Sequence, residues 1–223
     1  FQIDAQFTFA KLLKNLGPNE IKIDLTPDTD RDATKICFAL SDHPGIFSRL
    51  SGALALVGAN VVDARSYTSK DGFATAAFWV QDSDGAPFDR PRFSRLRAMI
   101  EKTLSGEIIT RDAIKERDKF KKRERAFKVP TSISFNNEGS EIYTIIEVDT
   151  RDRPGLLFDL TRTLANMNVY IASAIIATYG EQVVDNFYVK DMFGLKFYSE
   201  SKQKKLEQNL RKAITLGVER AQS

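Results

Sequence analysis

Apolar positions along this chain fall into one series that is played twice. Thr34 to Leu40 and Ile142 to Val148 are short apolar runs, the pattern of buried strands. Each run leads into an Asp-x-Pro-Gly turn, Asp42-His43-Pro44-Gly45 and Asp152-Arg153-Pro154-Gly155. After the first turn Ile46, Phe47, Leu50, Leu54 and Val57 recur at helical spacing, and Leu156, Leu157, Leu160, Leu164 and Met167 do so after the second. Two strands follow at about 60–69 and 72–81, joined at Lys70-Asp71-Gly72, with counterparts at about 169–178 and 182–190 joined near Tyr179-Gly180. A second helix closes each series, at about 90–104 and 200–215. Pro44 and Pro154 suit a first helical position, where a missing N–H costs nothing.

The two series stay in register without gaps at an offset of 110 residues, from position 42 to position 152. Thr34 falls on Thr144, Leu50 on Leu160, Leu54 on Leu164, Ala64 on Ala174 and Thr68 on Thr178. The chain is therefore a duplication, and each unit reads β-α-β-β-α with one further strand before or after it. That predicts an α+β fold of two ferredoxin-like units, antiparallel sheets with helices on one face. The alternating segments Ile21–Leu25 and Thr131–Phe135 are the candidate extra strands. No clear strand ends the second unit, Leu216-Gly217-Val218 being too short, so an exchange is expected: 21–25 completing the sheet of unit two and 131–135 that of unit one. The domain boundaries follow as a helical tail of a preceding domain at 1–17, units at 18–106 and 129–223, and a charged linker helix at 107–128.

Composition narrows the function classes. A hydrophobic fraction of 42% supports one or two cores, and a net charge of +3 favours neither a nucleic-acid nor a membrane partner. The run Lys115–Arg125 mixes acids with bases and reads as a solvated helix with i,i+4 pairs. Cys37 is the single cysteine and sits in a strand-like run, so a buried core residue in a reducing, cytoplasmic setting is expected. The chain begins at Phe1, which fits a piece of a longer protein. A single histidine, His43, cannot build a histidine-rich metal centre, and Asp82 and Asp84 lie in a turn sequence with no Gly-Ser before them. No catalytic residue, metal ligand or cofactor site is expected in this chain.

The strand, the Asp-x-Pro-Gly turn, the amphipathic helix and the hairpin resemble the ACT domain, which binds amino acids and regulates metabolic enzymes. The pairing is similar to the C-terminal tandem of the family of bifunctional uridylyltransferase/uridylyl-removing enzymes. The stretches that carry the likeness are Ser41–Ser48, Ala59–Arg65, Thr68–Gly72, Asp152–Leu157 and Asp185–Val189 with Asp191 and Gly194. The resemblance implies a glutamine sensor governing attachment and removal of UMP on the PII signal protein, with catalysis and its Mg2+ or other divalent metal in domains outside this chain. It also implies side-by-side pairing of ACT units, within one chain or between two as a homodimer. A docking module for PII or the catalytic domains, and a stand-alone amino-acid sensor, are the alternatives.

The turn suits an amino acid on physical grounds. A helix start offers unpaired N–H groups and partial positive charge to a carboxylate, and glycine permits close approach. The ligand-binding candidates are Asp42, His43, Gly45, Ile46, Phe47, Asn60 and Val61 in unit one, and Asp152, Arg153, Gly155, Leu156, Leu157, Tyr170 and Ile171 in unit two. Asp42 and Asp152 either accept the ammonium or merely cap the helices. Asn60, placed opposite the first turn, offers a donor and an acceptor to a side-chain amide, which makes the first turn the better glutamine site.

Overall fold

Each unit opens with an antiparallel hairpin, and this decides how the sheet is assembled. The structure, a computed structural model, describes residues 3–43, 45–69, 71–105, 130–153, 155–179 and 182–222. Helix α1 (Ile3–Leu13) precedes unit one, which runs β1 (Lys22–Asp28), β2 (Ala33–Ser41), α2 (Ile46–Leu56), β3 (Asn60–Thr68), β4 (Phe73–Gln81) and α3 (Phe93–Leu104). Unit two repeats the order as β5 (Ser132–Asn136), β6 (Thr144–Arg151), α4 (Leu156–Asn166), β7 (Tyr170–Tyr179), β8 (Gln182–Lys190) and α5 (Glu200–Gln222). The expected charged linker helix lies outside the described residues.

The expected strand exchange does not occur. β1 pairs with β2 of its own unit, Lys22 opposite Ala39 through Asp28 opposite Ala33, and β5 pairs with β6, Ser132 opposite Asp149 through Asn136 opposite Ile145. Local pairing wins because a short hairpin loop loses less chain entropy than a crossing to the far side of the molecule. Side chains reinforce it: the Trp79 indole on β4 donates to Asp28 Oδ2 on β1 at 2.6 Å. In unit two Thr131 and Thr150 share a hydroxyl hydrogen bond at 2.8 Å. The segment 216–218 is not a strand either, but part of α5.

The two units share one eight-stranded sheet of order β1-β2-β4-β3-β7-β8-β6-β5. Its seam is β3 against β7, antiparallel, with Ala64 opposite Ala174 and Arg65 opposite Ser173. Ala64 and Ala174 are repeat counterparts, and so are Ser51 on α2 and Thr161 on α4, whose buried hydroxyls share a hydrogen bond at 2.9 Å. A pseudo-two-fold axis therefore passes between these pairs. The side-by-side pairing of the units, left open between one chain and two, is made here within the chain.

One apolar core lies between the sheet and helices α2 to α5, built on Phe38, Phe78, Leu50, Leu54, Phe187, Leu160 and Leu164. The opposite face of unit one is covered by α1, whose Ala5 and Phe9 pack over Ala33, Cys37, Ala77 and Trp79. Cys37 is fully buried there, and loss of hydration pushes its thiol up to about 12.

Two outcomes follow. Deleting residues 1–28 should cost hydrogen-exchange protection in β2 and β4 and leave β6 and β8 protected; loss in unit two would restore the exchanged topology. Cys37 should resist a thiol reagent near pH 8 in the folded chain and react fully once denatured, as followed by mass spectrometry.

Candidate functional site

The Asp-x-Pro-Gly turns build a tight left-handed entry to each helix. Gly45 adopts φ 81° and Gly155 φ 74°, a region open to glycine because it lacks Cβ. The Ile46 amide donates to His43 O at 3.1 Å and the Leu156 amide to Arg153 O at 3.2 Å. The glycines themselves occupy the N-cap positions, and no side chain caps either helix. Asp42 and Asp152 are thus not helix caps. Helices begin at Ile46 and Leu156, beyond the first helical positions expected of Pro44 and Pro154; the prolines lie outside the described residues.

Around the first turn lies a pocket of about 550 Å³ that neither unit makes alone. Unit one contributes Asp42, His43, Gly45, Ile46, Phe47 and Ser48. Unit two supplies Thr161 and Ala165 from α4, Asn168 and Val169 just beyond it, Tyr170 and Ile171 from the start of β7, Lys190 from the end of β8, and Asp191, Met192 and Gly194 after it. The expected partnering of turn and strand is corrected here: Tyr170 and Ile171 face the first turn, while Asn60 and Val61 do not line the pocket. The pseudo-two-fold relation puts Asn60 and Val61 on the side of the second turn. Antiparallel pairing of β3 with β7 crosses the units, so each turn meets the other unit's strand.

The pocket's polar groups suit a zwitterion. Asp42 Oδ1 is buried and without a hydrogen-bond partner, an acceptor waiting for a donor. The first turn of α2 presents its amides and the positive end of the helix dipole to a carboxylate. Arg49 Nη1 donates to His43 Nε2 at 2.7 Å, and Arg49 also reaches the carbonyl of Leu104 at the end of α3. Across the seam the hydroxyls of Tyr170 and Thr68 meet in a hydrogen bond. Burial raises the Tyr170 hydroxyl pKa and the Asp42 charge adds to the shift, against the Thr68 hydrogen bond, so Tyr170 stays a neutral hydroxyl. Ser48, Thr161, Asn168, Lys190 and Asp191 were not among the sequence candidates. A reading of each unit alone carries no signal for them, because most arrive from the opposite half.

The second turn is built differently. Arg153 is buried and its guanidinium donates to Asp159 Oδ2 at 2.5 Å, which also accepts from Arg220 Nη2 at 2.7 Å. Leu156 is buried and Leu157 half-buried. Asp82 sits in a turn as expected, Oδ1 accepting from the amides of Asp84 and Ala86. Among the described residues no group of three His, Cys, Asp or Glu could hold a metal ion, and no helix is long and apolar enough to cross a membrane.

Residues 132–219 match the family described as ACR9-like, ACT-like domain. The bifunctional uridylyltransferase/uridylyl-removing enzyme of Ruegeria pomeroyi is 67% identical over 225 residues, 99% of this chain and 25% of that protein. The enzyme of the same name from Cereibacter sphaeroides is 69% identical over 96% of this chain and 23% of its own length. The chain thus spans about a quarter of the curated relatives it matches. Among solved structures, aspartate kinase from Synechocystis aligns over 81% of this chain and 27% of its own, at 14% identity and TM-score 0.40.

Unit two carries one group foreign to its core. Asp185 on β8 is fully buried, Oδ1 has no partner, and burial, with the charge of Asp152 beside it, holds its pKa well above 3.8. The folded chain therefore binds this proton where the unfolded chain has released it. Stability should be greatest below the unfolded value and fall as pH rises toward the folded one. Asp185→Asn should flatten that dependence and stabilise the chain at neutral pH, as urea melts at acid and neutral pH would record. A wild-type stability that rises from acid to neutral pH, with the rise lost in Asp185→Asn, would contradict it.

Proposed function

We propose that this chain, which belongs with the ACT-bearing region of the bifunctional uridylyltransferase/uridylyl-removing enzymes, is the L-glutamine-sensing part of such an enzyme, controlling uridylylation and deuridylylation of the PII protein. The observation that carries the reading is the pocket at the first turn, where an orphaned Asp42 oxygen and a helix start face a wall from the other unit. The α-ammonium docks on Asp42, and the α-carboxylate lies against the first turn of α2, at Ile46 to Ser48. The side-chain amide, both donor and acceptor, turns toward the Ser48, Thr161 and Asn168 side chains of the lining.

A ligand held this way touches both units at once. It shifts the enzyme only in so far as it binds one arrangement of the two units more tightly than another. Tyr170 is placed to report this, lining the pocket while bonded to Thr68 of unit one. Catalysis, with the divalent metal it requires, belongs to the rest of the enzyme, and no step of it runs through residues of this chain.

A docking module for PII or for the catalytic domains is the second reading. It is favoured by the exposed Met192, Phe193, Leu195 and Tyr198, at 66%, 73%, 62% and 68%, on the segment bordering the pocket.

Titration calorimetry distinguishes the two. L-Glutamine should bind the chain, Asp42→Asn should weaken it about tenfold or more through loss of a charge-assisted hydrogen bond, and Gly45→Val should abolish it through its left-handed backbone. No response to L-glutamine at millimolar concentration, together with glutamine-independent capture of PII, would select the docking module.

A further inference from the structure

The repeat makes His43 and Arg153 counterparts, and likewise Arg49 and Asp159. The first pair is a ring nitrogen accepting from an arginine, open to the pocket. The second is an ion pair with the polarity reversed and the cation taken out of water: the Arg153 side chain is 1% exposed and the Asp159 side chain 11%. The helices that close the units differ in the same place. α3 ends at Leu104, whereas α5 runs to Gln222, past the position equivalent to that end. Those further turns carry Gly217 and Arg220. A Cβ at residue 217 would stand 1.7 Å from Arg153 Nη2 and 2.1 Å from its Cζ, so only glycine lets the guanidinium lie against the helix. Arg220 then completes the arrangement from the next turn, donating to the same Asp159 oxygen.

We propose that the end of α5 is a latch on the second turn, closing through Arg153, Asp159 and Arg220, and that the two ends of the seam have divided their work. The first turn binds the amino acid; the second is held shut as a fixed support. A buried guanidinium is tolerated only while its counter-charge is in place, so the latch closes as a unit. The hydroxyl pair of Tyr170 with Thr68 spans the seam only at the first end, since the residue equivalent to Tyr170 in unit one is Asn60. The chain therefore takes one amino acid, not two. The stoichiometry rests on the ligand reading of the first turn; the latch itself does not.

Two measurements on the intact chain test this separately. Arg220→Met should speed amide exchange of residues 152–158 and of the end of α5 by about tenfold or more, because one arm of a largely buried charge group is lost. Residues 42–48 should be unaffected. Gly217→Ala should do the same where it folds, and Arg220→Lys should restore part of the protection. Unchanged exchange at the second turn in Arg220→Met overturns the latch. Calorimetry with L-glutamine should give one site per chain, lost in Asp42→Asn and retained in Asp152→Asn. Two equivalents, or loss only in Asp152→Asn, overturns the division of work. No binding to any variant defeats the glutamine reading, and the exchange data then judge the latch alone.

Discussion

The short antiparallel contact of β3 with β7 is the interaction on which the rest of the molecule depends. Two residue pairs are matched there, yet they merge two four-stranded sheets into one and fix the two-fold relation of the units. Small side chains permit it. Ala64 meets Ala174 in the sheet, and Ser51 meets Thr161 in the helix layer. Ser66 adds a hydrogen bond to the Ala172 carbonyl at 2.8 Å. A large residue at Ala64 or Ala174, or at Ser51 or Thr161, would meet its own counterpart and part the units. With the seam closed, each Asp-x-Pro-Gly turn is brought against the other unit, and a cavity exists where one unit alone would have an open surface.

Much of the fold was legible in the sequence because it is written in local periodicity. The duplication, the strands, the helices and the turns follow from apolar spacing and from glycine and proline punctuation, and the observed elements keep to them except at the C-terminal end, where α5 runs on from the expected 215 to Gln222. The partner of a strand is not local information. β1 and β5 have the alternation of an edge strand, which states which face is buried and is silent on which neighbour it joins. Exchange looked necessary only because nothing followed the second helix of unit two; the hairpins at the start of each unit remove that need.

The site was legible by half for the same reason. Asp42, His43, Gly45, Ile46 and Phe47 could be picked out because their chemistry lies in one contiguous motif. The sequence alone offers Asn60 as the residue opposite them, as it would be if a unit completed its own site. Antiparallel pairing of the units hands that place to Tyr170 and Ile171 instead, together with the end of α4 and the turn after β8. The helix-cap reading of Asp42 also looked adequate in sequence. Backbone geometry excludes it, since a left-handed glycine stands at the cap and leaves the carboxylate with a buried oxygen to satisfy.

Joining the two ACT units in one chain has a consequence for how such a protein changes over time. In a symmetric dimer of identical subunits, one substitution alters both ends of the interface together, and neither end can be altered without the other. A fused pair escapes that tie. His43 and Arg153, Arg49 and Asp159, Asn60 and Tyr170 are each one ancestral position that has since been free to diverge in two directions. The seam keeps the geometry of a dimer while giving each of its ends a separate genetic address.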